Sequence, residues 1–299
     1  MGTIVIAGGT GLLGTALVHA LRADGHAVVV LTRRPAHEGE ARWSAREDDT
    51  AWTSVLDGAL AVVNLAGASI AGGRWTKARK ASIRESRTQA TGALVRAITA
   101  SPHPPAVFIS SSAVGIYGSR GEEPLTESSA PGSDFLAGVG RDWENVANQA
   151  PRTSRVVLLR SGVVLARHGG ALPQLALPFK LFAGGPAGSG RQFMSWIHID
   201  DWVAMVKWAL AMPAIAGALN VTAPGPVTNE EFSRTLGRVL GRPSWLRAPP
   251  FALRLALGEM ADALVLGGQR VLPDVAQKHG FVFRYPALEP ALREIYRSR

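Results

Sequence analysis

Short apolar runs alternate with longer amphipathic stretches through the first half of the chain. Thr3–Ala7, Ala27–Leu31, Ala61–Leu65, Ala106–Ser110 and Arg155–Leu159 are rich in Val, Ile and Leu and have the length of buried strands. Leu12–Ala23, Ala81–Ala100 and Asp134–Ala150, which lie between and beside them, read as helices. Strands without polar alternation are covered on both faces, and strand–helix alternation makes them parallel. The pattern therefore predicts an α/β fold on a doubly wound parallel sheet. After Arg160 the texture changes, and 166–195 is rich in Gly and Pro with no clear period. A helix over Asp200–Met212, a strand over Ala218–Thr222 and helical stretches over Glu230–Leu240 and Phe251–Leu266 follow. Phe281–Tyr285 and Leu288–Arg297 close the chain. The division expected is a sheet domain over 1–165, to which 196–222 returns, and a smaller domain from 166–195 and 223–299. The smaller one would lie over the carboxyl ends of the strands, where such folds bind ligands.

Gly8-Gly9-Thr10-Gly11-Leu12-Leu13-Gly14 joins the first strand to the first helix. In that context the first glycine permits a tight turn, the second admits a pyrophosphate to the backbone, and the third lets helix and strand pack closely. The helix amides then bind the phosphates, so the sheet reads as a Rossmann-type dinucleotide site. The end of the second strand bears on which dinucleotide. Leu31-Thr32-Arg33-Arg34-Pro35 has no carboxylate until Glu38. An acid there would hold the adenine ribose of NAD and repel a 2′-phosphate, whereas guanidinium groups bind that phosphate. NADP(H) is the cofactor expected, with Thr32, Arg33 and Arg34 beside its 2′-phosphate.

The formal net charge is +9. It comes from scattered arginines, without a dense basic run interleaved with aromatics, so nucleic acid is not an expected partner. A basic cleft that attracts a phosphate-bearing small molecule fits the same charge. The chain has no cysteine, which excludes disulfides, thiolate metal sites and cysteine nucleophiles. Asp200 and Asp201 are adjacent and point apart on a helix, and no other His, Asp or Glu spacing suggests a metal. No Gly-x-Ser-x-Gly elbow marks a hydrolase. No apolar run approaches the roughly 18 residues that span a bilayer. Met1 leads straight into a strand, so a cytoplasmic location and no membrane partner are expected. A homodimer remains open.

Further segments carry a family resemblance. Gly8–Gly14, Asn64-Leu65-Ala66-Gly67, Ser110-Ser111-Ser112-Ala113-Val114-Gly115-Ile116-Tyr117-Gly118 and Trp196-Ile197-His198-Ile199-Asp200-Asp201 resemble the extended short-chain dehydrogenase/reductases. Gly184-Gly185-Pro186, Gly188-Ser189-Gly190-Arg191-Gln192, Ala223-Pro224 and Gly258-Glu259-Met260-Ala261-Asp262 are similar to its atypical epimerase-family, NAD-dependent epimerase/dehydratase-like branch. The resemblance covers essentially the whole chain. It implies that Asn64, Leu65, Ala66 and Gly67 line the adenosine and ribose part of the cofactor cleft, with Ser110 beside it. Ser112 would face the nicotinamide as the catalytic serine, and Arg160 and Gly162 would flank it from the next strand. The 184–201 segment would border a small polar, sugar-nucleotide-like substrate, with Arg191, Gln192 and His198 as its contacts.

One part of that machinery is missing. Relatives with sugar-nucleotide chemistry use a tyrosine and, four residues later, a lysine on the helix after the serine strand; the spacing puts both on one face. Ser119–Pro151 contains neither Tyr nor Lys, and Tyr117, Tyr285 and Tyr296 are the only tyrosines. Three readings follow. An oxidoreductase or epimerase could use a substituted proton donor, Tyr117, Ser112, His198 and Glu144 being available, with Ser112 and Tyr117 the expected catalytic pair. The chain could be a silent NADP(H)-binding redox-sensing or protein-interaction module. A structural or cell-division-associated role is the third. The His198 stretch reads first as a helix cap, the role it mainly has in extended relatives, and second as an acid/base group; Trp143 reads as core.

Overall fold

A computed structural model describes residues 2–45 and 50–297. The first half runs β1 (Thr3–Ala7), α1 (Leu12–Ala23), β2 (Ala27–Thr32), β3 (Glu40–Arg42), β4 (Ala61–Asn64), α2 (Lys77–Ala100), β5 (Val107–Ala113), β6 (Pro124–Leu125) and α3 (Phe135–Ala147). It continues through β7 (Arg155–Ser161), β8 (Val163–Leu165), α4 (Leu172–Lys180), β9 (Phe193–Met194), β10 (Trp196–His198), α5 (Ile199–Ala211) and β11 (Gly217–Val221). The end of the chain holds β12 (Val227–Thr228), α6 (Asn229–Leu240), α7 (Pro250–Leu257), β13 (Arg270–Val271), α8 (Asp274–Lys278) and α9 (Leu288–Tyr296).

Seven strands form one parallel sheet in the order β11-β7-β5-β4-β1-β2-β3. The chain leaves β1 toward β2 and β3, then returns to β4 on the other side. The switch point therefore lies at the carboxyl ends of β1 and β4, which opens a crevice there. Ile4 and Ile6 pack with Leu17 and Leu21 of α1 and Trp202, Met205 and Val206 of α5. Val5 and Val62 face the other way, against Leu94 and Ile98 of α2. This alternation along strands that are buried throughout is why their sequences read as continuous apolar runs. A third cluster joins Leu172 and Phe179 of α4, Phe232 and Leu236 of α6, and Leu288 and Leu292 of α9 around Trp196. The fully buried indoles of Trp196 and Trp202 each keep a partner, donating to Gly225 O at 2.9 Å and Ser161 Oγ at 3.0 Å.

The doubly wound parallel sheet expected from the pattern is present, and several boundaries differ for identifiable reasons. β5 runs on through Ser111–Ala113, because Leu159–Ser161 of β7 continue to pair with it. α2 begins at Lys77, where Thr76 accepts from Arg79 N at 3.1 Å; its polar first turn concealed the start. The stretch 166–195 is not irregular throughout, since it contains α4 with Pro178 inside it. The stretch expected to be helical over Phe251–Leu266 breaks at Gly258, whose φ of 63° is left-handed. Among the described residues no helix is long and apolar enough to cross a membrane.

Candidate functional site

The glycine loop is shaped by contacts that side chains would prevent. Gly8 has φ 80°, and a Cβ there would lie 2.7 Å from the Leu65 carbonyl carbon. A Cβ on Gly14 would lie 2.3 Å from Gly8 O, so α1 starts almost on top of the turn. Gly11 caps α1 without a side-chain oxygen and donates its own N–H to Gly8 O at 3.1 Å. The first amides of α1 thus meet the crevice with no side-chain cap, the geometry of an anion site. Thr10 and Gly11 are exposed, Leu13 packs on the core, and Leu12 lies against Gly169 and Gly170.

Across the switch point, the wall is held from behind. Asn64 is fully buried: its Nδ2 donates to Thr91 Oγ1 at 2.8 Å and its Oδ1 accepts from Ala66 N at 3.1 Å. Thr91 also accepts from the Trp143 indole at 2.9 Å. Asn64 therefore sets the course of Leu65–Gly67, which carries the wall past Gly8. Arg87 braces the same loop by donating to Ala68 O at 3.1 Å, and Trp143 lies beneath its guanidinium. Burial, with Arg79 nearby, pulls the Arg87 pKa down to about 10. At the end of β2, Arg33 and Arg34 are exposed and make no ion pair among the described residues. Of the two carboxylates that follow, Glu38 is exposed and Glu40 accepts from Ala36 N at 2.6 Å and His37 N at 3.2 Å.

At the end of β5 lies a buried polar network. Ser112, Arg160 and Asn220 are register neighbours across β5, β7 and β11. Ser112 Oγ donates to Glu144 Oε1 at 2.6 Å. Arg160 grips both oxygens of Glu144, Nε to Oε1 and Nη2 to Oε2, each at 2.8 Å. Its Nη1 donates to the Tyr117 hydroxyl at 2.9 Å, and Tyr117 in turn donates to Asn220 Oδ1 at 2.7 Å. Burial works against the Arg160 charge, but the bonds to Glu144 and Tyr117 more than offset it, and Arg160 is held firmly protonated. Tyr117 is fully buried, and burial pushes its pKa up despite Arg160. Glu127 lies on the far side, accepting from Asn220 N at 3.0 Å and Val275 N at 3.3 Å. Burial raises its pKa.

The helix face beside Ser112 carries Leu136, Gly140 and Glu144, at helical spacing of four. Leu136 touches Gly115, and a Cβ on Gly140 would lie 3.0 Å from Ile116 Cβ. A leucine and a glycine thus occupy two positions one turn apart where a tyrosine and lysine would have to face the serine. The structure brings Ser112, Tyr117, Arg160 and Glu144 together. Ser110 is buried below Ser112 on β5, and Gly162 is pressed against the Ser195 carbonyl.

The 184–201 residues are placed apart from one another. Arg191 is exposed and pairs with Glu122 at 3.2 Å. Gln192 staples its own loop, donating to Ala187 O at 3.0 Å and Val265 O at 2.8 Å. His198 is buried and caps α5: Nδ1 accepts from Asp200 N at 3.0 Å, which leaves the proton on Nε2, facing Glu294 at 3.1 Å. The cap is thus the histidine, while Asp201 accepts from Arg284 N and Tyr285 N, both at 2.8 Å. His198, Asp200 and Glu294 are close enough to share a metal ion, but both ring nitrogens already have partners in the protein. Asn220, Glu127, Thr91 and Arg87 were not singled out from the sequence. Each acts through residues distant in the chain, and none lies in a motif.

A seven-stranded parallel sheet with a glycine turn at its switch point and a serine at the end of β5 defines a Rossmann-type α/β protein of short-chain dehydrogenase/reductase architecture. Residues 4–221 match the model of the NAD dependent epimerase/dehydratase family, and 248–295 match a domain of unknown function, DUF1731. The chain belongs to the NAD dependent epimerase/dehydratase family. It is 44% identical to the chloroplastic epimerase family protein SDR39U1 homolog of Arabidopsis thaliana, over 98% of this chain and 86% of that protein. It is 41% identical to the epimerase family protein YfhF of Bacillus subtilis, over 99% and 98% of the two chains. Among solved structures, human epimerase family protein SDR39U1 (isoform 2) with NADPH superposes with a TM-score of 0.91, at 36% identity over 98% of both chains.

Proposed function

We propose that this protein binds NADP(H) in the crevice and catalyses hydride exchange, as an oxidoreductase or epimerase, on a small polar substrate. The glycine cradle and the uncapped start of α1 fit a pyrophosphate, Arg33 and Arg34 fit a 2′-phosphate, and Leu65–Gly67 fit the adenosine side. Ser112 and Gly162 border the nicotinamide end, and Ser110 lies buried on β5 beside the wall formed by Asn64. The NADPH of the human structure supports this assignment. When bound, the cofactor accepts or supplies the hydride, and the protein handles the proton. Residues 166–195 and 223–299 cover the substrate side.

The observation that carries the reading is the Ser112 hydroxyl, committed as a donor to Glu144 at 2.6 Å. With its own proton given to Glu144, Ser112 Oγ is left as the acceptor for a substrate hydroxyl in this reading. On oxidation the substrate O–H proton moves to Ser112 Oγ, and the serine's own proton moves to Glu144; reduction reverses both transfers. Tyr117, buried behind Arg160, serves this relay by positioning Arg160, and Leu136 and Gly140 leave no phenol or ammonium to replace it.

The test has two stages. NADPH and NADH are titrated by fluorescence, with Arg33→Asp expected to erase a preference for NADPH. Aldehydes, ketones and sugar nucleotides are then screened by NADPH absorbance. Ser112→Ala should lower turnover about 100-fold or more while leaving NADPH binding intact. Full activity in Ser112→Ala refutes the relay, and tight NADPH binding without turnover across the panel makes the protein a silent binding module.

A further inference from the structure

Seven large apolar side chains stand exposed on one side of the molecule: Leu177, Leu181 and Phe182 at the end of α4, Trp245 and Leu246 in the following loop, and Phe251 and Leu255 on α7. They form one surface. Leu246 N donates to Gly184 O at 3.1 Å, Ala248 N to Pro186 O at 2.9 Å and Gly188 N to Ala248 O at 2.9 Å, so 184–188 and 246–248 run side by side. The Arg242 guanidinium lies 4.5 Å from the Phe182 ring centre. α7 buries none of its residues, and Phe251 and Leu255, four apart, share its outer face. Phe182 adopts φ 62°, a left-handed helix end that normally calls for glycine, and presents its ring to solvent there.

The charges carried by the exposed segments themselves are all positive, although neighbouring carboxylates neutralise two of them. Residues 172–182 and 241–257 contain Lys180, Arg242, Arg247 and Arg254 and no carboxylate. Arg247 and Arg254 are paired with Glu230 and Asp262 from outside those segments, while Lys180 and Arg242 have no ion pair among the described residues. Exposures of 70% for Trp245, 73% for Phe251 and 77% for Leu255 show side chains standing proud of the surface rather than lining a groove.

We propose that this face docks the protein on an anionic lipid bilayer, with Trp245, Phe251 and Leu255 entering the interface and Lys180 and Arg242 meeting the headgroups. Protruding aromatic and Leu side chains flanked by cations suit a headgroup boundary, which has no fixed shape to match. A second copy fits poorly, because a two-fold pairing would bring two sets of Lys180 and Arg242 into one interface while the exposed segments offer no carboxylate to meet them. The proposal departs from the expectation from sequence of no membrane partner. The absence of a spanning helix is no obstacle to surface binding.

The test is sedimentation of the full-length protein with vesicles of phosphatidylcholine alone or phosphatidylcholine mixed with phosphatidylglycerol, at low and high salt. Binding is expected only to the mixed vesicles and should weaken with salt. The double variant Phe251→Glu/Leu255→Glu should lower it about tenfold or more, while Val282→Glu, at an exposed residue beside α8, should leave it unchanged. Near-ultraviolet circular dichroism identical to the parent establishes that the variants are folded. No binding to mixed vesicles, equal binding to both kinds, or equal effects of the two variants overturns the proposal. So does self-association in sedimentation velocity that the double variant abolishes without any vesicle binding. That result would assign the face to a second copy.

Discussion

Ser112, Glu144 and Arg160 behave as one unit because each satisfies the others in a place water does not reach. Glu144 accepts three hydrogen bonds, one from Ser112 and two from Arg160. Removing either charge alone strands the other in the interior, at a cost of roughly 3–5 kcal/mol. Glu144→Gln and Arg160→Met should each lower stability by about that amount in urea denaturation. The double variant should cost clearly less than their sum, since it leaves no unpaired ion. Additive losses would mean that the two groups do not depend on each other. Ser112→Ala belongs to a different category, because it removes a hydroxyl from a site where Arg160 still satisfies the carboxylate.

At the scale of elements, α3 explains why the tyrosine–lysine pair is absent. The helix approaches the turn after β5 so closely that a Cβ on Gly140 would lie 3.0 Å from Ile116 Cβ, which crowds any side chain there. Gly140→Lys should therefore lower the melting temperature through overpacking, by roughly 1–3 kcal/mol of stability, and should not raise turnover. A gain in activity without loss of stability would show that the helix can move away and that the pair was lost for another reason. The turn before α1 obeys the same logic, since Gly8 and Gly14 are required by backbone approach. That need for glycine is why this element could be placed from sequence. The break at Gly258 was equally printed in the sequence, yet the apolar residues on both sides made 251–266 read as one helix.

Across the whole molecule, the region after β11 is tied to the rest by two carboxylates that accept backbone amides, Asp201 buried and Glu127 half-buried. Asp201 takes Arg284 N and Tyr285 N, and Glu127 takes Asn220 N and Val275 N. Glu127 has its folded pKa raised by burial, against the opposing pull of those amide bonds. A raised folded pKa means that its contribution is fully present below the unfolded value of about 4.3 and is lost as pH rises through the folded value. Glu127→Gln removes that dependence. The melting temperature of the variant relative to the parent should therefore increase from about pH 4 toward pH 7. A difference that stays flat over that window would show that the carboxylate is not destabilised by burial.

Local pattern determined much of this protein: the parallel strands, the glycine turn at the switch point, the arginines after β2 and the serine at the end of β5. The strands and the turn follow from apolar runs alternating with amphipathic stretches and from backbone conformations open only to glycine; the arginines are legible from their charge, and the serine from the family resemblance. Tertiary structure alone decided what those residues meet. Glu144 reaches Ser112 across 32 positions, and Tyr117 reaches Asn220 across 103. Periodicity tells which residues share a face, but not which face is opposite. Tyr117 is thus buried against Arg160 and Asn220, and His198 caps α5, the role its stretch reads as having ahead of any contact with a substrate. The apolar stripe of α7 reads in sequence like any buried helix, and only packing left it facing outward.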